Sequence, residues 1–223
     1  SVGTLNRHVV GALLRAGVAA TALPPFPTWS TTRPRVPHPS TARGGADAVQ
    51  ALLAAGLTPV LHGDAVLDAS QGASILSGDT LMVSLASALR PCLAVFLTDV
   101  AGVFTRPPAE PGAELLRRIV ISRTTGAIVA TSTSAALAEH STEAAAVVSS
   151  TTAAHDVTGG LAAKLEAAAT IAQGGTPVVI VQVGTPHAAA ALRGVVPDVC
   201  TLITTAGSRV RVVTTHVATA RIA

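Results

Sequence analysis

Residues 154–168, AHDVTGGLAAKLEAA, contain two adjacent glycines that lead directly into an Ala/Leu-rich helical segment. Gly159 and Gly160 allow a positive φ and a close approach of the backbone to a ligand. The N–H groups at the start of a helix, together with the helix dipole, attract an anion. Lys164, which the pattern places in the first helical turn, adds a mobile positive charge. The stretch therefore suits a polyphosphate, although a capped helix start with two turn-forming glycines would have the same sequence.

The composition is that of a globular α/β protein. Of the 223 residues, 49% are hydrophobic and 12% are charged, which excludes an intrinsically disordered chain. The longest apolar stretch, residues 81–104, is interrupted by Arg90, Pro91 and Asp99 and is not expected to span a membrane. Scattered basic residues and an aromatic content of 2% predict no nucleic-acid partner.

Both cysteines, Cys92 and Cys200, have apolar sequence neighbours and are predicted to be reduced core residues. Reduced cysteines are typical of a reducing compartment, which predicts a cytoplasmic protein. No Cys/His spacing fits zinc, and we assign no residue as a metal ligand.

Helical and strand patterns alternate along the chain, which predicts an α/β fold with a mostly parallel central sheet covered by helices. The strand patterns at residues 92–99 (CLAVFLTD) and 177–183 (PVVIVQV) are hydrophobic almost throughout. Residues 24–45, rich in Pro, Thr, Ser and Arg, predict a long loop before a helix at 46–55. The low-complexity residues 124–153 indicate no particular structure.

Four clusters of polar residues and glycine fall at predicted strand ends or helix starts. They are Gly63-Asp64, Ser77-Gly78-Asp79, Thr98-Asp99 and Thr158-Gly159-Gly160. Ligands of open α/β sheets bind beyond the carboxyl ends of the strands, so these clusters are candidate binding loops. The chain has neither GxGxxG nor GxxxxGK[ST], so neither a dinucleotide fingerprint nor a P-loop is predicted.

The clusters lie in motifs that resemble isopentenyl phosphate kinase, a branch of the amino-acid kinase superfamily, and above all its plant-like form. The motifs are PVLHGDAVLD (59–68), ILSGDTL (75–81), FLTDVAGVFTRPP (96–108) and AHDVTGGLAAKLEAA (154–168), with LNRHVV (5–10), PPFPTW (24–29) and VGTPHAAAALRG (183–194) in the same order. The resemblance covers residues 2–206 and implies a three-layer αβα sandwich with a mostly parallel central sheet.

The resemblance also implies a domain organisation. Residues 1–206 would form one amino-acid kinase domain, with 1–90 as the remainder of the acceptor-substrate lobe and 91–206 as the nucleotide-binding lobe. Residues 207–223 would be a C-terminal extension. Members of the family begin with a strand, a glycine-rich loop and a lysine, followed by a second glycine-rich loop that ends in a histidine. Neither loop has a counterpart here, so we expect an N-terminally truncated chain that is catalytically weak or inactive by itself.

The family transfers the γ-phosphoryl group of ATP to isopentenyl phosphate, giving isopentenyl diphosphate for isoprenoid biosynthesis by a mevalonate-type pathway. The resemblance implies ATP and Mg²⁺ as cofactors and a homodimer. The site residues that it implies are Asp79 and Lys164 for catalysis, Asp99, Gly159, Gly160 and Lys164 for the nucleotide, and Gly63, Asp64 and Gly78 for the acceptor.

Other interpretations remain open. The chain could be another small-molecule phosphate or carboxylate kinase of the same superfamily, or a non-catalytic nucleotide-binding remnant. We interpret His62 as a core histidine or one that supports the site from behind, and His155 as a loop residue. Phe26 and Trp29 either line an apolar pocket for the isoprenoid tail or anchor their loop.

Overall fold

The computed structural model describes residues 1–33, 36–133 and 159–208, and predictions for the remaining residues, His155 and Thr158 among them, lie outside these ranges. The chain folds as two compact units, the first comprising Ser1–Arg90 and the second beginning at Pro91. None of the described helices combines the length and the hydrophobicity that a membrane crossing requires.

The first unit contains three helices and six short strands within its described residues. In chain order they are α1 (Val2–Arg15), β1 (Ala20–Ala22), β2 (Ser30–Arg33), β3 (Val36–Pro37), α2 (Pro39–Ala54), β4 (Thr58–Val60), β5 (Asp64–Asp68), β6 (Gly72–Leu76) and α3 (Gly78–Leu89). Strands β1 and β4 form a parallel pair, and a separate sheet has the order β3-β2-β5-β6. The predicted hairpin is present as the antiparallel pair β5 and β6.

The prediction of a loop over residues 24–45 was wrong from residue 30 onwards. Strands β2 and β3 lie inside that range, and α2 begins at Pro39 instead of residue 46. Proline suits the first helical position because its fixed φ is helical and an N–H there would have no helical partner. The high content of Pro, Thr and Ser in this segment therefore predicted a loop at the residues where the helix begins.

The core of the first unit is built around Trp29, which is 1% exposed and packs with Val66, Leu76 and Leu81. Helix α2 approaches the indole so closely that a Cβ on Gly45 would overlap the ring. Phe26, three residues earlier, is 52% exposed. Of the two roles considered for this pair, Trp29 takes that of a core anchor for its segment.

Asp68 stabilises the turn between β5 and β6. Its Oδ1 accepts hydrogen bonds from the Ser70 hydroxyl (2.6 Å), the Ser70 N–H (2.8 Å) and the Gln71 N–H (3.0 Å). The Thr31 hydroxyl of β2 donates to Oδ2 at 2.6 Å. The Ser70 and Thr31 hydroxyls, with smaller contributions from the two N–H groups, hold the pKa of Asp68 below its ordinary value of 3.8, although burial acts in the opposite direction.

We expect the Asp68→Asn variant to lose stability in a pH-dependent way. The folded-state pKa lies below the unfolded-state value, so the carboxylate contributes stability above the unfolded pKa and loses it as the pH falls through the folded pKa. In urea unfolding, the difference in unfolding free energy between wild type and variant should be constant down to about pH 5 and shrink below about pH 4. A difference that stays constant at still lower pH would contradict this.

The second unit contains five strands and two helices among the residues described. They are β7 (Ala94–Thr98), β8 (Arg118–Ile121), β9 (Ile128–Ser132), α4 (Gly159–Gln173), β10 (Val178–Gln182), α5 (Pro186–Leu192) and β11 (Thr201–Thr205). The sheet order is β7-β10-β11-β8-β9. The two strands that come last in the sequence, β10 and β11, therefore lie between β7 and β8.

Helices cover both faces of this sheet. Val179 and Val181 of β10 pack with Ala188 and Ala191 of α5. Successive residues of a strand point to opposite faces, and Val178 and Ile180 are also fully buried. Helix α4 contacts β7, β8, β10 and β11 and covers that second face. The predicted α/β fold is confirmed.

Strand pairing is more mixed than the sequence predicted. Among the eight pairs described, four are parallel and four are antiparallel. Two of the antiparallel pairs, β5 with β6 and β8 with β9, are joined by turns too short for the crossover that a parallel pair requires.

The cysteine prediction holds for Cys200 and was wrong for Cys92. Cys200 is 3% exposed, and burial raises the pKa of its thiol to about 11. Cys92 is exposed, because it precedes the first residue of β7 by two positions and lies outside the covered part of the sheet.

Candidate active site

The two glycine clusters of the first unit lie in backbone contact. The β5–β6 hairpin pairs Asp64 with Leu76, which brings the ends of both strands together. A Cβ on Gly63 would lie 2.9 Å from the Leu76 carbonyl oxygen and 3.0 Å from the Gly78 nitrogen. The predicted acceptor residues Gly63, Asp64 and Gly78 therefore share one corner of this unit.

Helix α3 begins at this corner. The Ser77 hydroxyl caps it by accepting a hydrogen bond from the Thr80 N–H at 3.1 Å. Gly78 is exposed and has open space where a Cβ would be. Asp79 lies in the first turn and is half-buried. The corner thus presents a helix N-terminus with the Asp79 carboxylate in its first turn, where the helix dipole favours negative charge, and with Asp64 close by.

His62 lies behind Asp64. Its Nε2 is 3.3 Å from Asp64 Oδ2, and the side chains are 15% and 43% exposed, respectively. Asp64 Oδ1 also accepts a hydrogen bond from the Ala65 N–H at 2.8 Å. These two contacts, from the His62 imidazole and the Ala65 N–H, fix the Asp64 carboxylate at the surface.

We expect Gly63→Ala to disrupt this corner. The added methyl group would meet backbone atoms on two sides, which cannot move as a flexible side chain does. Overpacking of this kind costs about 1–3 kcal/mol of unfolding free energy. Urea unfolding measures it, with Gly78→Ala as the matched control, since that methyl enters open space at a helix start. Equal stability of the two variants would contradict the packing described here.

In the second unit, Asp99 follows β7 and is exposed. The Thr98 hydroxyl donates to Asp99 Oδ1 at 3.0 Å, and the Gln182 amide donates to the Asp99 carbonyl oxygen at 2.9 Å. Strands β7 and β10 are parallel and in register, with Thr98 opposite Gln182. Asp99 therefore lies at the carboxyl edge of the sheet, where the sequence predicted it.

Helix α4 starts at the same edge. Only four residues join its end at Gln173 to β10, so the helix runs antiparallel to that strand. Gly159 and Gly160 thus lie at the edge where Asp99 is found. Lys164 is the sixth residue of the helix, in its second turn and not the predicted first. Helical side chains lean towards the N-terminus, so a lysine about 7 Å along the axis is long enough to reach the helix start.

The described parts of both units hold no group of three or more His, Cys, Asp or Glu side chains that could bind a metal ion. Two residues of the second unit, Gln182 and Thr201, contact the loop after Asp99 and were not predicted. Nothing in their sequence context distinguishes them from other strand-end residues.

A sequence profile of the amino acid kinase family matches residues 1–182. The chain belongs to the amino acid kinase family. Isopentenyl phosphate kinase of Arabidopsis thaliana is 44% identical over 124 residues, which is 54% of this chain and 36% of the relative. The enzyme of that name from Methanothermobacter thermautotrophicus is 35% identical over 118 residues, 52% of this chain and 42% of the relative. The matched segments span less than half the length of either relative.

Solved structures agree with this assignment. An X-ray structure of isopentenyl phosphate kinase matches with a TM-score of 0.62 and 26% identity, over 91% of this chain and 66% of that one. The product complex of the Thermoplasma acidophilum enzyme matches in fold, with a TM-score of 0.59, 20% identity and coverage of 90% and 66%. The predicted amino-acid kinase fold is confirmed for this family member.

Proposed function

We propose that this amino acid kinase phosphorylates isopentenyl phosphate with ATP. Phosphoryl transfer requires the protein mainly to position two phosphorylated substrates and to compensate their negative charge. The observation that carries the proposal is the shared sheet edge of the second unit, where the glycine start of α4 lies with Asp99. Relatives named isopentenyl phosphate kinase supply the choice of acceptor.

The second unit is proposed to bind ATP. Backbone N–H groups at Gly159 and Gly160 would bind the phosphates, because the start of a helix carries unpaired donors and the positive end of its dipole. Lys164 would add an ammonium to the same phosphates. Asp99, an exposed carboxylate with a fixed main chain, would take a polar group of the nucleoside.

The first unit is proposed to bind the acceptor. Gly63 and Asp64 would line the acceptor site, and the exposed Gly78 would offer a backbone N–H to the acceptor. Asp79, half-buried in the first turn of α3, would align the cationic groups around the transferred phosphoryl.

Mg²⁺ is proposed to arrive with the nucleotide. It binds through one or two carboxylates, phosphate oxygens and water, and it does not need an all-protein cage. The lack of a three-ligand cluster in the described ranges is compatible with that mode. A bound Mg²⁺ would neutralise phosphate charge. A homodimer, implied by the resemblance, is likewise a proposal that sedimentation velocity tests.

The proposed function is tested by measuring enzymatic turnover of candidate acceptors. ADP release and ³¹P NMR of the product are measured on the 223-residue chain and on a version extended at its N-terminus by the strand and glycine-rich loops with which the family begins. The acceptors are isopentenyl phosphate, isopentenol, a nucleoside monophosphate and aspartate. We expect the extended version to convert isopentenyl phosphate to its diphosphate with the highest kcat/KM. Conversion of another acceptor in preference, or ATP binding without turnover of any, would overturn the proposal.

A further inference from the structure

Residues 99–103, here called the Asp99 loop, are held at their far end by a buried hydroxyl group. Thr201, the first residue of β11, is fully buried. Its Oγ1 accepts a hydrogen bond from the Val103 N–H at 2.8 Å and donates to the Leu116 carbonyl oxygen at 2.7 Å. The hydroxyl therefore joins the Asp99 loop to the segment that leads into β8.

The loop packs directly on this residue. A Cβ on Gly102 would overlap Thr201 Oγ1 and lie 3.0 Å from the Thr201 nitrogen. Val103 is held from its other side as well, because its carbonyl oxygen accepts from the Leu116 N–H at 2.8 Å. Only a glycine at position 102 lets the loop come this close to β11.

The start of the loop is held separately by β10. The Gln182 amide donates to the Asp99 carbonyl oxygen at 2.9 Å, and the Val183 N–H donates to the Thr98 carbonyl oxygen at 2.8 Å. Strand β11 is antiparallel to β10, so Thr201 at its start and Gln182 at the end of β10 lie at the same sheet edge. The loop is thus attached at both ends to two adjacent strands.

We propose that Thr201 and Gln182 are positioning residues for nucleotide binding, which set the Asp99 loop before ATP arrives; this rests on the proposed function. Neither residue is proposed to touch the nucleotide. A loop that is already ordered loses less conformational entropy on binding, so the two tethers act on affinity. Loss of either hydrogen bond should weaken ATP binding about tenfold, the equivalent of one hydrogen bond to an otherwise unpaired group.

The first test compares two threonines of the same strand. Thr201→Val keeps the shape and removes the hydroxyl, whereas Thr201→Ser keeps the hydroxyl. Thr204→Val is the matched control, because Thr204 is 1% exposed and its hydroxyl has no hydrogen-bond partner in the described structure. Calorimetry with MgATP should give about a tenfold higher Kd for Thr201→Val and wild-type values for Thr201→Ser and Thr204→Val.

The second test uses an exposed residue, whose replacement we expect the fold to tolerate. Gln182 is exposed, so Gln182→Ala should fold normally and still raise the Kd for MgATP. Gln173→Ala is its control, since that amide donates to the Arg123 carbonyl oxygen at the other end of α4. Amide hydrogen exchange should accelerate at Val103 in Thr201→Val and near Asp99 in Gln182→Ala.

The outcomes separate this inference from the proposed function. Wild type that binds no nucleotide would overturn both. Wild type that binds MgATP, with unchanged affinity in Gln182→Ala and in folded Thr201→Val, would overturn the positioning role alone. If Thr201→Val does not fold, the Gln182 pair and its exchange pattern decide.

Discussion

Replacing Trp29 by alanine is expected to lower the free energy of unfolding of the first unit by about 3–5 kcal/mol. The indole is almost completely buried against Val66, Leu76 and Leu81, and Gly45 of α2 leaves just enough room for it. Alanine would leave a cavity between α2 and the β5–β6 hairpin that a rigid helix backbone cannot fill. Urea unfolding followed by circular dichroism measures the loss.

Phe26→Ala is the matched control, because it removes an aromatic ring from the same segment at a position that is half exposed. Its effect should stay within about 1 kcal/mol. Trp29→Phe should cost much less than Trp29→Ala, since it keeps most of the ring volume and removes an N–H without a partner among the described residues. A Trp29→Ala variant as stable as Phe26→Ala would refute the core position of the indole.

Replacing Lys164 by alanine is expected to raise the Kd for ATP at least tenfold. A hydrogen bond to a charged group contributes about 1.5–3 kcal/mol, and each 1.4 kcal/mol is a factor of about ten. Stability should change by less than about 1 kcal/mol, because Lys164 is only half-buried and alanine is the better helix former. Calorimetric titration with MgATP on the folded variant measures the affinity.

Adenosine separates a phosphate contact from a general distortion of the site. The variant should bind ATP and ADP more weakly and adenosine as wild type does, and Lys164→Arg should recover part of the ATP affinity through its charge. The wild-type affinity for ATP should fall with salt more steeply than that of the variant. An equal loss for adenosine and ATP would exclude the phosphate role of Lys164.

Much of the fold could be predicted from the sequence at strands that are buried on both faces, because such strands require hydrophobic residues almost throughout. The hydrophobic run PVVIVQV (177–183) predicts a strand covered on both sides, and Val178–Gln182 form β10 between α4 and α5. The hairpin of β5 and β6 follows from short apolar runs around a polar turn at Asp68–Gly72. Contact between Gly63 and Gly78 follows from that hairpin, so part of the candidate site was also predictable.

Other features depend on contacts between distant residues. Pro39 is the first residue of α2, but its Pro-rich sequence neighbourhood predicts a loop. Trp29 is buried because Gly45 of another element faces it, which no local pattern indicates. Thr201 holds a loop 98 residues away, and a single threonine at a strand start carries no sign of that contact. The roles of Asp79, Asp99 and Lys164 at bound substrates stay predictions.

The strand order of the second unit constrains how its sheet can fold during synthesis on the ribosome. Strands β7 and β8 emerge from the ribosome early, yet they are not neighbours in the sheet, and β10 and β11 fill the space between them. During synthesis the two early strands would each present an open edge until Thr205 has left the exit tunnel. Nascent chains arrested before that point should therefore depend on chaperones, whereas chains released beyond it contain all five described strands of this sheet.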